Sequence, residues 1–143
     1  MSQENVELSG RVTDAFNRHD PEAMVALCDP KCEWLPAIEA EVEGEPVVYL
    51  GHDGLRQYFK DVAESFLEYR FDASECRDLG TRVLLSGRLS ARGRGSGVEL
   101  ASDLEALVEW RDGKCVRVVA YRDHAEALEA VGLSEQDARA ESS

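Results

Sequence analysis

The 143-residue chain has no apolar run approaching the roughly 20 residues that a membrane-spanning helix requires, so no membrane partner is expected. Its opening, Met1-Ser2-Gln3-Glu4-Asn5, carries neither a basic nor an apolar segment. Nothing there reads as a signal peptide, and the expected compartment is the cytoplasm. Basic residues are few: 16 Lys and Arg against 29 Asp and Glu give a formal net charge of −13. A field of that sign repels phosphate backbones and anionic lipids, which removes nucleic acid from the expected partners. Histidine is scarce, at three residues, and none has a visible Ser or Cys partner for nucleophilic catalysis. The four cysteines, Cys28, Cys32, Cys76 and Cys115, read as buried thiols of a reducing compartment. Cys28 and Cys32 have half of a zinc spacing, but no second close pair of Cys or His completes it. No metal is expected, and no internal repeat or linker is visible.

What remains is an ordinary globular balance, 43% hydrophobic and 31% charged. At this length folding buries about two-thirds of the unfolded surface, enough for a core without staples. Residues 1–133 are read as one domain and 134–143 as a polar, frayed tail.

Residues 3–19 have helical spacing through Leu8, Val12, Ala15 and Phe16. Asp20-Pro21 restarts the chain as N-cap and first helical residue of a short helix carrying Met24, Leu27 and Cys28. Cys32 to Pro36 predicts a first strand, centred on Trp34. In Glu39–Glu45, four carboxylates alternate with small or apolar residues. The pattern fits a solvated loop or edge ribbon charged against edge pairing, with a cation site as the alternative. Gly51-His52-Asp53-Gly54 opens the strongest helix, where Leu55, Tyr58, Phe59, Val62, Ala63 and Phe66 form a broad apolar face. Strands follow from Tyr69, over Arg82–Arg92, over Val98–Trp110 and over Cys115–Arg122. In the third of these, Leu100, Leu104, Val108 and Trp110 share one parity. Asp112-Gly113 is a hairpin signal, and Gly87 marks a bend or bulge. Asp123 starts a last short helix that Gly132 ends. Helices first, then consecutive antiparallel strands, argue for α+β and against a doubly wound parallel sheet. Strands this long bend, and with a helix across the mouth they enclose a cavity.

Several segments in order, Ala15-Phe16-Asn17-Arg18-His19-Asp20, Cys32-Glu33-Trp34, Gly51-His52-Asp53-Gly54-Leu55-Arg56, Trp110-Arg111-Asp112-Gly113-Lys114 and Tyr121-Arg122-Asp123, resemble those of SnoaL-like domains of the nuclear transport factor 2-like superfamily. The superfamily includes ketosteroid isomerase-like and polyketide cyclase-like proteins as well as non-enzymatic ligand carriers. The resemblance spans about residues 4–133. It implies a cone-shaped curved antiparallel sheet closed by N-terminal helices, a cystatin-like roll. It further implies a deep, mostly apolar pocket, no organic cofactor or metal, and a homodimer packed through the outer sheet face. Fold alone does not assign a reaction.

Two residues stand out for chemistry. Asp123 closes the last strand, where relatives resembling this chain keep an acid for proton transfer. Held among Trp34, Tyr58 and Val119 it would lose solvation and its pKa would rise. The competing role is helix N-cap, with Glu126 three residues on. Arg88 lies mid-strand, able to stabilise an oxyanion or to form a salt bridge on the outer face. Epoxide hydrolases of this fold pair such an Arg with an Asp two residues on; here Arg88-Leu89-Ser90 lacks it, which argues against that reaction. Trp34, Tyr58, Phe59 and Tyr121 are candidate ligand contacts, against ordinary core packing. Asp103 and Glu105 share a strand parity with Glu99 and Glu109, the pattern of a solvated or dimer-facing stripe. The leading expectation is a pocket for a small apolar or aromatic molecule, with Asp123 as acid/base if there is catalysis, as in a cyclase or isomerase. The alternatives are a non-catalytic carrier and a dimeric interaction domain of the same fold.

Overall fold

The computed structural model describes residues 2–36, 41–42, 45–95 and 97–132. The helices and strands run α1 (Ser2–Asn17), α2 (Pro21–Leu27), β1 (Cys28–Leu35), β2 (Glu41–Val42), β3 (Glu45–Pro46), β4 (Tyr49–Leu50), α3 (Gly51–Ser65), β5 (Phe66–Asp78), β6 (Arg82–Gly93), β7 (Glu99–Arg111), β8 (Lys114–Tyr121) and α4 (His124–Ala130). The class is α+β, with a curved, unclosed six-stranded sheet in the order β4-β1-β8-β7-β6-β5. Among the described residues no helix is long and apolar enough to cross a membrane. The tail expected over 134–143 lies outside the described residues, as do Glu39, Ala40, Glu43 and Gly44 of the acidic stretch. Glu41–Val42 and Glu45–Pro46 pair as a two-stranded ribbon.

Strands β5 to β8 form the antiparallel meander that the turn signals predict. Asp112 (φ 52°) and Gly113 (φ 77°) both have positive φ, the conformation a two-residue hairpin turn needs to match strand twist. One pairing departs from the expected run of antiparallel neighbours: β1 joins β8 in parallel. β1 also starts at Cys28, four residues before the predicted start. The strand runs through Pro30, which falls in the register shift between Cys28 and Glu33, where a missing N–H costs no ladder bond. β5 likewise begins at Phe66, directly after α3, so it gains a turn's length over the predicted strand.

Gly87 is the bend that its place in a long strand suggests. It pairs with Ala73, beside a register shift between Ala73 and Glu75. A Cβ on Gly87 would lie 2.1 Å from the Asp72 carbonyl oxygen and 2.8 Å from the Ala73 Cα. Only glycine allows that approach, so the bulge and the curvature it introduces are written into one residue.

The helices α1, α2 and α3 cover the concave face. On α3, Leu55, Tyr58, Phe59 and Val62 are all buried, the three-and-four spacing of a face laid on a sheet. The turn between α1 and α2 seals the edge of β5. Asn17 donates to the Phe71 carbonyl at 2.9 Å and accepts from the Phe71 N–H at 2.8 Å, imitating a neighbouring strand. His19 Nε2 lies 2.9 Å from the Tyr69 carbonyl, to which it donates. The edge that could template another chain is therefore occupied by side chains. Asp20 caps α2 through Ala23 N at 3.0 Å, with Pro21 first in the helix, as predicted. At the far end, Trp110 Nε1 donates to Ser9 Oγ at 2.9 Å, and Ser9 donates to the Asn5 carbonyl at 2.7 Å. Asn5 Nδ2 reaches the Gly80 carbonyl at 2.9 Å. This chain satisfies the polar groups that α1 would otherwise bury unpaired.

Candidate functional site

Between α1, α3 and the concave sheet face lies a cavity of about 50 Å³. A single water occupies about 10–15 Å³ on this measure, so the space takes a few waters or one small ring. Its wall is partly aromatic, with Phe16, Trp34, Tyr58, Tyr69 and Phe71, and partly aliphatic, with Leu85, Leu89, Leu104, Val108 and Val118. The aromatic rings brace each other: Phe16 stacks on Trp34 with centroids 6.3 Å apart, and Trp34 meets Tyr58 at 5.2 Å and a 44° tilt. Such contacts add about 0.5–1.5 kcal/mol per pair beyond area burial and fix the wall's shape. Among the described residues no charged side chain lines the cavity. The lining residues that carry a polar side-chain atom are Thr13, Trp34, Tyr58 and Tyr69, the hydroxyls of the last two 3.3 Å apart.

The structure brings two of the predicted site residues together there, Trp34 and Tyr58. Phe59 is buried and packs its ring edge-on to Tyr58 at 5.8 Å, one layer behind the wall. Tyr121 is on the convex face, in a small cluster with Leu84, Leu107 and Ala127 under α4. Asp123 is exposed and not part of the wall; its carboxylate accepts from the Ala125 N–H at 2.8 Å as the N-cap of α4. β8 ends at Tyr121 and the chain turns outward there, because α4 must bury Ala127 and Leu128. Arg88 is also exposed, paired with Asp103 at 3.1 Å on the convex face. Leu89 takes the inward position next to it, and strand alternation forces Arg88 out. The sequence reading missed Phe16, Tyr69 and Thr13 as wall residues. Alternation of Tyr69 with Phe71, and helical spacing of Thr13 with Phe16, were the available signals.

Two polar clusters lie away from the cavity. Glu105, grouped in sequence with a solvated stripe, is instead buried at 6% exposure. It accepts from Ser86 Oγ at 3.1 Å and is bonded to His124 Nδ1, so α4 is clasped to the sheet at its first residue. Glu99, Asp103 and Glu109 keep some or full exposure, and that part of the stripe is solvated. The second cluster is Cys28, Cys32 and Cys115, all buried. Hydrogen bonding with the Cys115 thiol, and then burial, push the Cys28 thiol far up against an opposing contact from Cys32. Hydrogen bonding with Cys28, and then burial, do the same to Cys32. Thiols held protonated in this way are poor nucleophiles and poor ligands. Among the described residues no group of three or more His, Cys, Asp or Glu is arranged to hold a metal ion.

A curved sheet wrapped on helices, with an apolar hollow between them, defines the nuclear transport factor 2-like, cystatin-fold class. Solved structures agree. An NTF2-like protein of unknown function from Burkholderia pseudomallei K96243 shares 20% identity at a TM-score of 0.74, covering 88% of this chain and 95% of that one. TerC, co-crystallised with polyporic acid, shares 22% identity at a TM-score of 0.72, covering 90% and 98%. A protein with a ketosteroid isomerase-like fold from Catenulispora acidiphila DSM 44928, in complex with trimethylamine, shares 13% identity at a TM-score of 0.72, covering 89% and 93%. At these identities the likeness is one of fold. The SnoaL-like domain model matches residues 10–118, and the chain belongs to that family. No curated protein matches it by sequence.

Proposed function

We infer that this protein binds a small, uncharged, largely apolar molecule in the hollow of the sheet, with no proton-transfer role for Asp123. One observation carries the reading: a partly enclosed cavity walled by aromatic and aliphatic side chains, with no carboxylate, amine or imidazole among the described residues that line it. Catalysis by proton transfer needs a titratable group within about 3 Å of the proton it moves, or one water away. Asp123 is engaged as a helix cap instead. A dry apolar cavity gains affinity from every apolar group it takes from water, at about 25 cal/mol per Å². The structural likeness to a protein crystallised with polyporic acid fits the use of this hollow for an organic guest.

The test is calorimetric titration with toluene, a neutral single ring, on the protein and on Ala106→Phe. Ala106 is in the wall, and a phenyl group there fills the space. Saturable binding that the variant loses, while its near-ultraviolet circular dichroism stays native, supports the reading. Failure of the unsubstituted protein to bind toluene would overturn it.

A further inference from the structure

We propose that Ala106 and Ala120 set the size of the guest, and that the guest they admit is a single unfused ring. The inference rests on the binding role inferred above and goes on to name which wall residues read the guest and what they reject.

Strand register lays out the floor of the hollow. One row crosses the sheet as Val83, Val108, Val118 and Trp34, partner by partner from β6 to β1. The next row along the strands is Leu85, Ala106 and Ala120. Side chains two residues apart share a face, so Ala106 points the same way as Leu104 and Val108, and Ala120 the same way as Val118. Leu85, Leu104, Val108 and Val118 are buried, yet the two alanines set among them are only half-buried. Both alanines line the cavity, so the open surface above them belongs to the hollow. The cause is covalent: an alanine side chain stops at Cβ, where valine and leucine go on. On two adjacent strands the missing methyl groups coincide, and close-packed neighbours do not flow into such a gap. The floor is also hard. Alanine has no rotamer to change, and β7 beneath it is hydrogen-bonded to β6 on one side and β8 on the other.

A cavity of about 50 Å³ with such a floor takes one small ring and has no room for a second fused to it. In a pocket that cannot yield, one methylene too many costs about 10- to 200-fold in affinity, and a fused ring adds several. The competing role for the two alanines is a doorway. Bulk placed in a doorway slows entry and exit alike, and leaves the equilibrium preference between two guests unchanged.

The experiment is equilibrium titration with benzene and toluene by calorimetry, and with naphthalene by its own fluorescence. Toluene is expected to bind at least about ten-fold more tightly than naphthalene. In Ala120→Val and in Ala106→Val the floor rises, and toluene should weaken on the order of ten-fold relative to benzene. In Ala120→Gly the floor drops, and naphthalene should gain relative to toluene. Ala101→Val adds the same bulk to the exposed, convex side of β7 and should change none of the three affinities. Naphthalene binding as tightly as toluene overturns the proposal, as does a benzene-to-toluene ratio that the valine variants leave unchanged. If neither valine variant keeps a native near-ultraviolet circular dichroism spectrum, Ala120→Gly decides, and no gain for naphthalene there overturns the proposal. Those outcomes leave the binding role standing. If toluene does not bind the unsubstituted protein, the binding role fails and this inference with it.

Discussion

Arg88 and Leu89 are neighbours in the chain and opposites in surroundings. Leu89 faces the helices and is 1% exposed; Arg88 faces away and is open to water beside Asp103. Most of β6 follows that division. Its concave side presents Val83, Leu85, Leu89 and Ala91, all buried, while Ser90 and Arg88 on the convex side are exposed. Convex charges are paired across strands, Arg92 with Glu68 at 2.8 Å and Arg117 with Glu33 at 3.7 Å. One side of the sheet is held by loss of apolar surface from water, worth about 1.5–3 kcal/mol per large side chain. The other side carries exposed ion pairs worth about 0–1 kcal/mol each. The exception is the patch where α4 lies on Leu84 and Leu107. There the convex face has a small core of its own.

The comparison breaks most easily at Leu89. Leu89→Ala should cost about 2–5 kcal/mol in urea unfolding, because the lost methyl groups leave a hole that packed neighbours fill only in part. A cost below about 1 kcal/mol would mean that the concave face around Leu89 is loosely packed. Leu107→Ala tests the exception. It is 3% exposed on the nominally polar face, and if α4 seats there the loss should be about 2–3 kcal/mol. A change within about 0.5 kcal/mol, the range of an ordinary surface substitution, would show that α4 does not seat in solution.

Asp123 gives the next smaller effect and the clearest view of what sequence conveys. As an N-cap, Asp123→Ala should lose about 1 kcal/mol, while Asp123→Asn, an equally good cap, should lose almost none. Guanidinium unfolding of the two variants separates capping from simple loss of charge, which would hit both alike. Both roles of Asp123, cap and acid, were visible in the residues; the direction of the chain after Tyr121 decides between them, and that direction is set by where Leu128 can be buried. Parity puts Arg88 opposite Leu89 but does not say which of them faces the helices, so the sequence left Arg88 between an oxyanion contact and an outer-face ion pair. Parity also put Glu105 in line with Glu99, Asp103 and Glu109, but it says which face a side chain is on and not what lies over that face. Helix α4 lies over Glu105 and turns a solvated carboxylate into a buried one bonded to Ser86 and His124. The helical and strand segments and the bend at Gly87 are local or periodic, and they were legible. Membership of Phe16, Thr13 and Tyr69 in one wall joins elements far apart in the chain, which periodicity does not report.

Arg88→Ala should give the smallest effect, within about 0.5 kcal/mol. The guanidinium is 60% exposed and its Asp103 partner 84% exposed. Ions so placed keep most of their hydration, and holding two long side chains in one geometry costs entropy that offsets the modest attraction. At about 0.15 M salt, charges more than roughly 8 Å apart are largely screened, so the surrounding lattice adds little beyond the nearest pair. Chemical unfolding at low and at high salt checks this directly, since whatever the pair does contribute should fade as salt is added. A loss above about 2 kcal/mol that persists in high salt would mean that Arg88 is covered in solution, and the polar face of β6 would then have to be regarded as buried like its apolar one.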